Sequence, residues 1–301
     1  MLNEFFGEKK ELWKKIIFDY GKVCSFVFAL LLIVVLFYFI FHVNQNRDLR
    51  VVFFDVSQGD SIFIETPSGK QMLIDGGPNN KVMKSLDKEM GFFDKDIDVM
   101  IATHGDADHI TGLISVLKKY NVAKIIKSPV PSDTEIFYDL EKNIKEENAE
   151  VFTGKKGDII LFQDGVSVNI LSPENNFSTK DTNEASVSVL ITYKDKSFLL
   201  TGDLPIKNES KLMTGNLLNK EVTVYKAGHH GSKTSSGEQL LSYTKPYYSV
   251  ISAGKDNKYG HPNFETLERL KKYSKVVLST IESGNIEFVT NGNDFRFELG
   301  K

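Results

Sequence analysis

Thiol chemistry is almost missing from this chain. Its 301 residues include one cysteine, Cys24, which excludes an intramolecular disulfide and any thiolate metal cage. A metal held here would be held by nitrogen and oxygen. A bulk positive charge is missing too. The formal net charge is −3, and setting aside residues 1–48, with six Lys/Arg and five Asp/Glu, leaves 31 basic residues against 35 acidic. That balance gives no general hold on a polyanion. Low-complexity linkers and short-period repeats are also missing, and 41% of the residues are hydrophobic, enough for one large domain or two small ones.

Formal charge disappears altogether from Val23 to Phe41, VCSFVFALLLIVVLFYFIF. At about 1.5 Å per residue this run matches the hydrocarbon thickness of a bilayer, and it is apolar all round. A buried core helix is the alternative. A cleaved signal peptide is disfavoured, because no small-residue cleavage site follows the run. Lys9, Lys10, Lys14, Lys15 and Lys22 precede it, so the positive-inside bias puts the N-terminus in the cytoplasm. The expected organisation is a cytoplasmic segment (1–22), a transmembrane helix (23–42) and an extracytoplasmic domain (49–301), a single-pass protein of the cell membrane. His42 falls at the end of the span, as an interfacial residue.

Beyond the span, short β-type runs (50–56, 61–65, 71–75) are separated by the turn signals Ser57-Gln58-Gly59-Asp60 and Pro67-Ser68-Gly69-Lys70. A helix over 81–90, a strand over 99–103, a helix to Tyr120, a strand over 124–127 and a helix over 134–148 follow. Strands at 159–162, 166–171, 186–192 and 197–201, a helix over 207–218 and a strand over 222–226 repeat the rhythm. A strand over 248–252, a helix over 264–273 and strands near 276, 286 and 295 close the chain. Meanders with helices after selected strands predict an α/β protein of two packed sheets with helices outside, an αββα sandwich.

Apart from His42, the histidines occupy three loops: His104 and His109, His229 and His230, and His261. Lone core histidines would not all choose loops flanked by acids and glycines. Thr103-His104-Gly105-Asp106-Ala107-Asp108-His109 cannot load one face of a regular helix, but as a loop at a strand–helix junction it can wrap two ions. Asp203 stands at another strand end, where its carboxylate can bridge them. Together with Asp75, Asp106, Asp108 and Asp203, the loop histidines His104 and His109 and the pair His229 and His230 predict a site for two divalent ions.

These residues resemble the metallo-β-lactamase superfamily over roughly Leu49 to Gly300. Leu73-Ile74-Asp75-Gly76-Gly77 resembles its first motif. The 104–109 run resembles its His-x-His-x-Asp-His signature with Asp106 replacing a histidine, Thr201-Gly202-Asp203 its bridging aspartate, and His229-His230-Gly231 its last histidine. Asp55-Val-Ser-Gln-Gly-Asp-Ser61, Asn183-Glu-Ala-Ser186, Lys226-Ala-Gly-His-His-Gly-Ser232 and Tyr259-Gly-His-Pro262 together resemble the C-terminal domain of the competence protein ComEC family. That family's channels have many membrane spans and this chain shows one, so it is not expected to be a DNA channel alone. The superfamily's third-motif histidine is missing, with Asn183 in its neighbourhood. By position relative to Gly231 the resemblance implies His230 as the ligand, leaving His229 to face substrate, and so assigns the two ions to His104, Asp106, Asp108, His109, Asp203 and His230. Zn²⁺ is the first choice of metal, and the oxygen-rich Asp106 variant also admits Mn²⁺.

The resemblance implies a metal-dependent phosphodiesterase, a ComEC-like nuclease acting on DNA, with other DNA-uptake proteins as partners. Asp108, Asp203, His229 and His261 are its expected catalytic residues, with His229 or His261 contacting phosphate or protonating the leaving oxygen. A turn role for His261 beside Pro262 stands as the alternative, as does a turn cap for Asp60. A basic rim of Lys226, Lys233, Lys255 and Lys258 offers local DNA contacts. Ser232, Lys233, Thr234 and Ser235 either bind an anion or form a solvated loop. Two rival functions remain: a wall-directed phosphodiesterase acting on phosphorylcholine or teichoic-acid links, and a non-catalytic metal-stabilised binding module.

Overall fold

The computed structural model describes the chain apart from residues 1, 45, 46, 92, 177, 219 and 301, and apart from the side chains of residues 1–12, 15–17 and 39–46, His42 among them. The chain divides into two units, Met1–Arg47 and Asp48–Lys301. The first is one helix, α1 (Leu2–Asn44), in which the 21 residues Phe18–Tyr38 are long and apolar enough to cross a membrane. The helix therefore runs through the segment expected to precede the span.

The second unit opens with an antiparallel meander, β1 (Leu49–Phe53), β2 (Ile62–Glu65) and β3 (Gln71–Ile74). Three parallel additions follow: α2 (Lys81–Glu89) and β4 (Asp96–Ala102), α3 (Ala107–Leu117) and β5 (Asn121–Lys127), then α4 (Glu135–Glu146) and β6 (Glu150–Thr153). The second sheet repeats the plan. A meander of β7 (Ile159–Leu161), β8 (Ser167–Ser172), β9 (Ser188–Tyr193) and β10 (Lys196–Leu200) is extended in parallel. The extensions are α5 (Ile206–Glu209) with β11 (Val224–Lys226), α6 (Glu238–Thr244) with β12 (Tyr248–Ile251), and α7 (Phe264–Tyr273) with β13 (Val276–Ser279). After α8 (Thr280–Ser283) the chain returns to the first sheet, where β14 (Ile286–Thr290) pairs with β1 and β15 (Phe295–Leu299) pairs with β14.

The period-2 pattern of the strands decides which face each side chain takes. Val51, Phe53, Ile62, Ile64, Ile74, Val99 and Ile101 of the first sheet meet Val168, Ile170, Val189, Phe198, Leu200 and Val224 of the second, forming the inter-sheet core. Their neighbours Val52, Phe63, Leu73 and Met100 point the other way, against Val82, Leu86, Ile110, Leu113 and Leu140 of the outer helices. Leu190, Leu199 and Tyr225 do the same beneath Leu240, Leu241 and Leu270. The architecture is the expected αββα sandwich.

Local differences have identifiable causes. The helix expected over 207–218 is only α5 and a 3-10 turn, Ser210–Met213. Gly215 and Asn216 both take left-handed φ, 81° and 57°, which ends the helix. Glu209 is drawn instead into the interior, where its carboxylate accepts the backbone N–H groups of Ser236 (2.6 Å) and Gly237 (2.8 Å). Two elements lie where no strand or helix is expected: β6, a short exposed edge strand, and α6.

Candidate metal centre

The strands extended in parallel all end at one rim of the sandwich, where ligand sites of open α/β sheets are usually found. Asp75 follows β3, Thr103 and His104 follow β4, Asp203 follows β10, and His229 and His230 follow β11. Two close backbone approaches hold this rim together. Gly112 N donates to Gly77 O (2.9 Å) and Gly76 N to His109 O (2.7 Å), and a Cβ on Gly112 would sit 1.9 Å from Gly76 O. Gly59, at φ +134°, lets the 57–60 turn lie on the start of α3, where Asp60 N donates to Asp108 O at 3.3 Å.

Each central histidine has its Nδ1 side committed. His109 Nδ1 donates to Asp75 Oδ2 at 2.7 Å, and His230 Nδ1 to the Ser252 carbonyl at 3.0 Å. The Thr103 hydroxyl donates to Asp75 Oδ2 (2.7 Å), so it accepts from His104 Nδ1 at 3.0 Å. Carboxylates and carbonyls behind imidazoles fix ring and tautomer in this way around metals. The three Nε2 atoms then converge. His109 and His230 Nε2 lie 3.2 Å apart, and Asp203 Oδ1 is 3.3 Å from His109 Nε2. Asp203 Oδ2 is 3.5 Å from His230 Nε2 and 3.9 Å from His104 Nε2. Asp108 Oδ2 is 3.3 Å from His230 Nε2, and Asp106 Oδ2 is 3.8 Å from His104 Nε2. His104 Nε2 and Asp203 Oδ1 are buried without a hydrogen-bond partner, an arrangement that costs free energy unless something cationic completes it.

The electrostatics point the same way. Burial, aided by His109, pushes His104 below its ordinary pKa. Burial would also lower His109 and His230, but Asp203 with Asp75 holds the first well above the ordinary value, and Asp203 with Asp60 raises the second to about 9. Burial would raise Asp203, yet His230 and His109 hold it well below the carboxylate range. Carboxylates that favour a proton on these Nε2 atoms favour a divalent cation there equally. Asp60, Asp75 and Asp203 are all buried, and one buried amine, Lys226, stands among them.

Asp60, His109, Asp203 and His230 form a buried group whose donor atoms lie within 4.8 Å of one another. Asp60 differs from the other three, because it sits behind the imidazoles. Its Oδ1 is 3.2 Å from His230 Nδ1, and its Oδ2 is ion-paired with Lys226. Burial pushes Asp60 up, but Lys226 and His230 outweigh it and hold its pKa at about 2. Asp60 is therefore the anchor of the histidines and no mere turn cap. Lys226 leaves the expected basic rim: it is fully buried, on a central strand. Lys233, Lys255 and Lys258 are exposed as expected.

His229 and His230 take left-handed backbone conformations in succession, φ 47° and 54°. Such conformations cost roughly 1–3 kcal/mol each and cluster at functional sites. The double turn buries His230 and leaves His229 half-buried, its Nε2 3.5 Å from Asp203 Oδ2. His261 lies beside it, ring centroids 5.6 Å apart, and burial with help from His229 pushes its pKa down to about 4. In the neighbouring loop the Ser235 hydroxyl is spent on Leu204 O (2.8 Å) and the Ser232 hydroxyl meets that of Thr234 (2.9 Å), so most of this loop's hydroxyls are internal. Asn183 lies on a short 3-10 turn with a buried, unpartnered Oδ1, and the adjacent Thr182 donates to Asp106 Oδ1 at 2.7 Å.

The fold and this rim are those of the metallo-beta-lactamase superfamily, whose family model matches residues 54–255; the chain belongs to it. Among curated proteins it is 30% identical over 292 residues to ComE operon protein 3 of Bacillus subtilis (89% of this chain, 35% of that protein). It is 32% identical over 271 residues to Recombination protein 2 of Haemophilus influenzae (87% and 31%). These homologues are ComEC-family competence proteins, and the chain spans about a third of their length. Exodeoxyribonuclease WalJ of Streptococcus pneumoniae is 28% identical over 184 residues (60% of this chain, 62% of that protein). Among solved structures, the metallo-beta-lactamase fold protein YhfI from Bacillus subtilis shares the fold, with a TM-score of 0.53 at 10% identity over 80% of this chain and all of that one.

Proposed function

We propose that the second unit is a metal-dependent phosphodiesterase that cleaves DNA outside the cytoplasmic membrane, with α1 as its anchor. The observation that carries this reading is the convergence of three Nε2 atoms on Asp203, each imidazole held from behind by its Nδ1. His104 and Asp106 would hold one divalent ion, Asp108, His109 and His230 the other, and Asp203 would serve both. When bound, such a pair neutralises charge developing on phosphoryl oxygens and acidifies water at neutral pH. Zn²⁺ suits the imidazoles, and Asp106 adds the oxygen character that suits Mn²⁺.

The chain's own groups supply the rest. The Thr103 hydroxyl fixes the imidazole of His104, Asp75 that of His109, and the Ser252 carbonyl with Asp60 that of His230. His229, half-buried beside Asp203, would give a proton to the leaving oxygen, a role worth roughly 10²–10⁴-fold in rate. His261, packed edge-on against His229 with its Nδ1 buried and unpartnered, would contact the phosphate. DNA as substrate is supported by the competence names of the longer relatives and the exodeoxyribonuclease name of the shorter one. Extracytoplasmic placement is supported by the lysines preceding the apolar run.

The full chain in nanodiscs, supplied with Zn²⁺ or Mn²⁺, is assayed on single-stranded DNA, duplex DNA and bis-p-nitrophenyl phosphate beside Asp203→Ala. Metal-dependent cleavage of DNA and of the small ester, both lost in the variant, is expected. Turnover of neither substrate contradicts the reading, and cleavage of the ester alone favours the wall-directed phosphodiesterase.

A further inference from the structure

We propose that Tyr259 is a stacking platform for a nucleobase of single-stranded DNA, set one ring beyond the histidines of the metal centre. The inference takes its substrate class from the phosphodiesterase reading, but binding alone can test it. A row of rings leads outward from Asp203. His229 lies edge-on to His261, and His261 lies under Tyr259 with centroids 5.7 Å apart and planes only 23° from parallel. Tyr259 ends the row and is 54% exposed.

The loop that carries it is fastened in place. Asn257 Oδ1 accepts from Tyr259 N (3.1 Å) and His261 N (3.0 Å), while its Nδ2 donates to Gly254 O (2.9 Å) and His261 O (2.5 Å). One side chain thus ties both ends of the loop together, and the tyrosine is displayed at low entropic cost. Lys258 Nζ lies over the Tyr259 ring, 5.0 Å from its centroid, on a flexible stem that a nucleobase would displace toward its own phosphate, and Lys255 is exposed on the same loop. A half-exposed aromatic ring carrying a mobile ammonium is the combination that binds single strands, where the ring takes the base and the lysines take phosphate. Bases within a duplex are already stacked and cannot use the platform.

The test is binding by the full chain in nanodiscs, with EDTA present to prevent turnover. Three probes of equal length are compared: oligothymidylate, the corresponding abasic strand, and a duplex. Base–aromatic stacking of about 1–3 kcal/mol predicts roughly 5- to 150-fold tighter binding of oligothymidylate than of the abasic strand. Tyr259→Ala should erase that ratio and Tyr259→Trp should keep it. The native chain's only tryptophan is Trp13 in α1, so the new indole reports directly, and its emission should be quenched by oligothymidylate and not by the abasic strand. Equal binding of the two single strands by the native chain, tighter binding of the duplex, or an unchanged ratio in Tyr259→Ala overturns the platform. Loss of turnover with the base preference intact would count against the phosphodiesterase reading and leave the platform standing.

Discussion

Lys226 shows how a residue's chemistry follows from its place in the sheet. In sequence it reads as a rim cation preceding Ala-Gly-His-His, but β11 lies between β10 and β12, so its side chain has no route to water. Paired with Asp60, it lets a buried carboxylate hold His230 from behind. Removing one partner of a buried pair strands the other's charge, so Lys226→Met should destabilise the domain by about 3–5 kcal/mol. Adding Asp60→Asn should recover part of that loss, and urea unfolding of the two variants measures the coupling. Glu209 gives a pH signature. Burial raises its pKa from 4.5 to about 7 despite the two backbone donors. The folded state therefore holds a proton that the unfolded state has released. Stability from this group is full below about pH 4.5 and is lost as pH rises through about 7, at up to about 1.4 kcal/mol per pH unit. Unfolding curves between about pH 5 and 6.5 should fall more steeply in the native chain than in Glu209→Gln, by up to about 1.4 kcal/mol per pH unit.

At the scale of elements, the site depends on how closely α3 can approach the loop after β3. Gly112 faces Gly76 with no room for a methyl group, and His109, three residues earlier, uses that proximity to reach Asp75. Gly112→Ala must push the helix outward. Overpacking typically costs about 1–3 kcal/mol, and the displaced imidazole should weaken metal affinity as well; a melt with and without Zn²⁺ measures both, and unchanged metal stabilisation would contradict the arrangement. The motif residues His104, Asp108, His109, Asp203 and His230 were legible because chemically expensive side chains recur at strand ends. The partners that orient them were less so. The Ser252 carbonyl carries no sequence signal, and Asp60 reads as a turn residue until the 57–60 loop folds onto α3. The helix expected over 207–218 failed for a related reason: the long-range bonds of Glu209 to residues 236 and 237 outweigh local propensity.

At the scale of the whole molecule, alternation of apolar residues was enough to read the two-sheet sandwich, since Val51 and Val52 already state which side is which. Neither the pairing of β14 with β1 nor the meander-then-parallel plan shared by both sheets can be read from local pattern, because both depend on contacts between residues far apart in sequence. The proposed anchoring by α1 and its orientation can be measured with the single cysteine as the internal control. Cys24 lies within the apolar stretch Phe18–Tyr38. Lys142→Cys, exposed on α4, should react with an impermeant maleimide in intact cells, and labelling only after lysis would reverse the proposed topology. The proposed activity requires two divalent ions that these histidines would hold with Asp203 in common. Titration of the metal-stripped chain with Zn²⁺ in a calorimeter tests it directly. Two equivalents should bind the native chain and at most one should bind Asp203→Ala with comparable affinity; no binding by the native chain, or an Asp203→Ala isotherm that overlays it, would contradict the account.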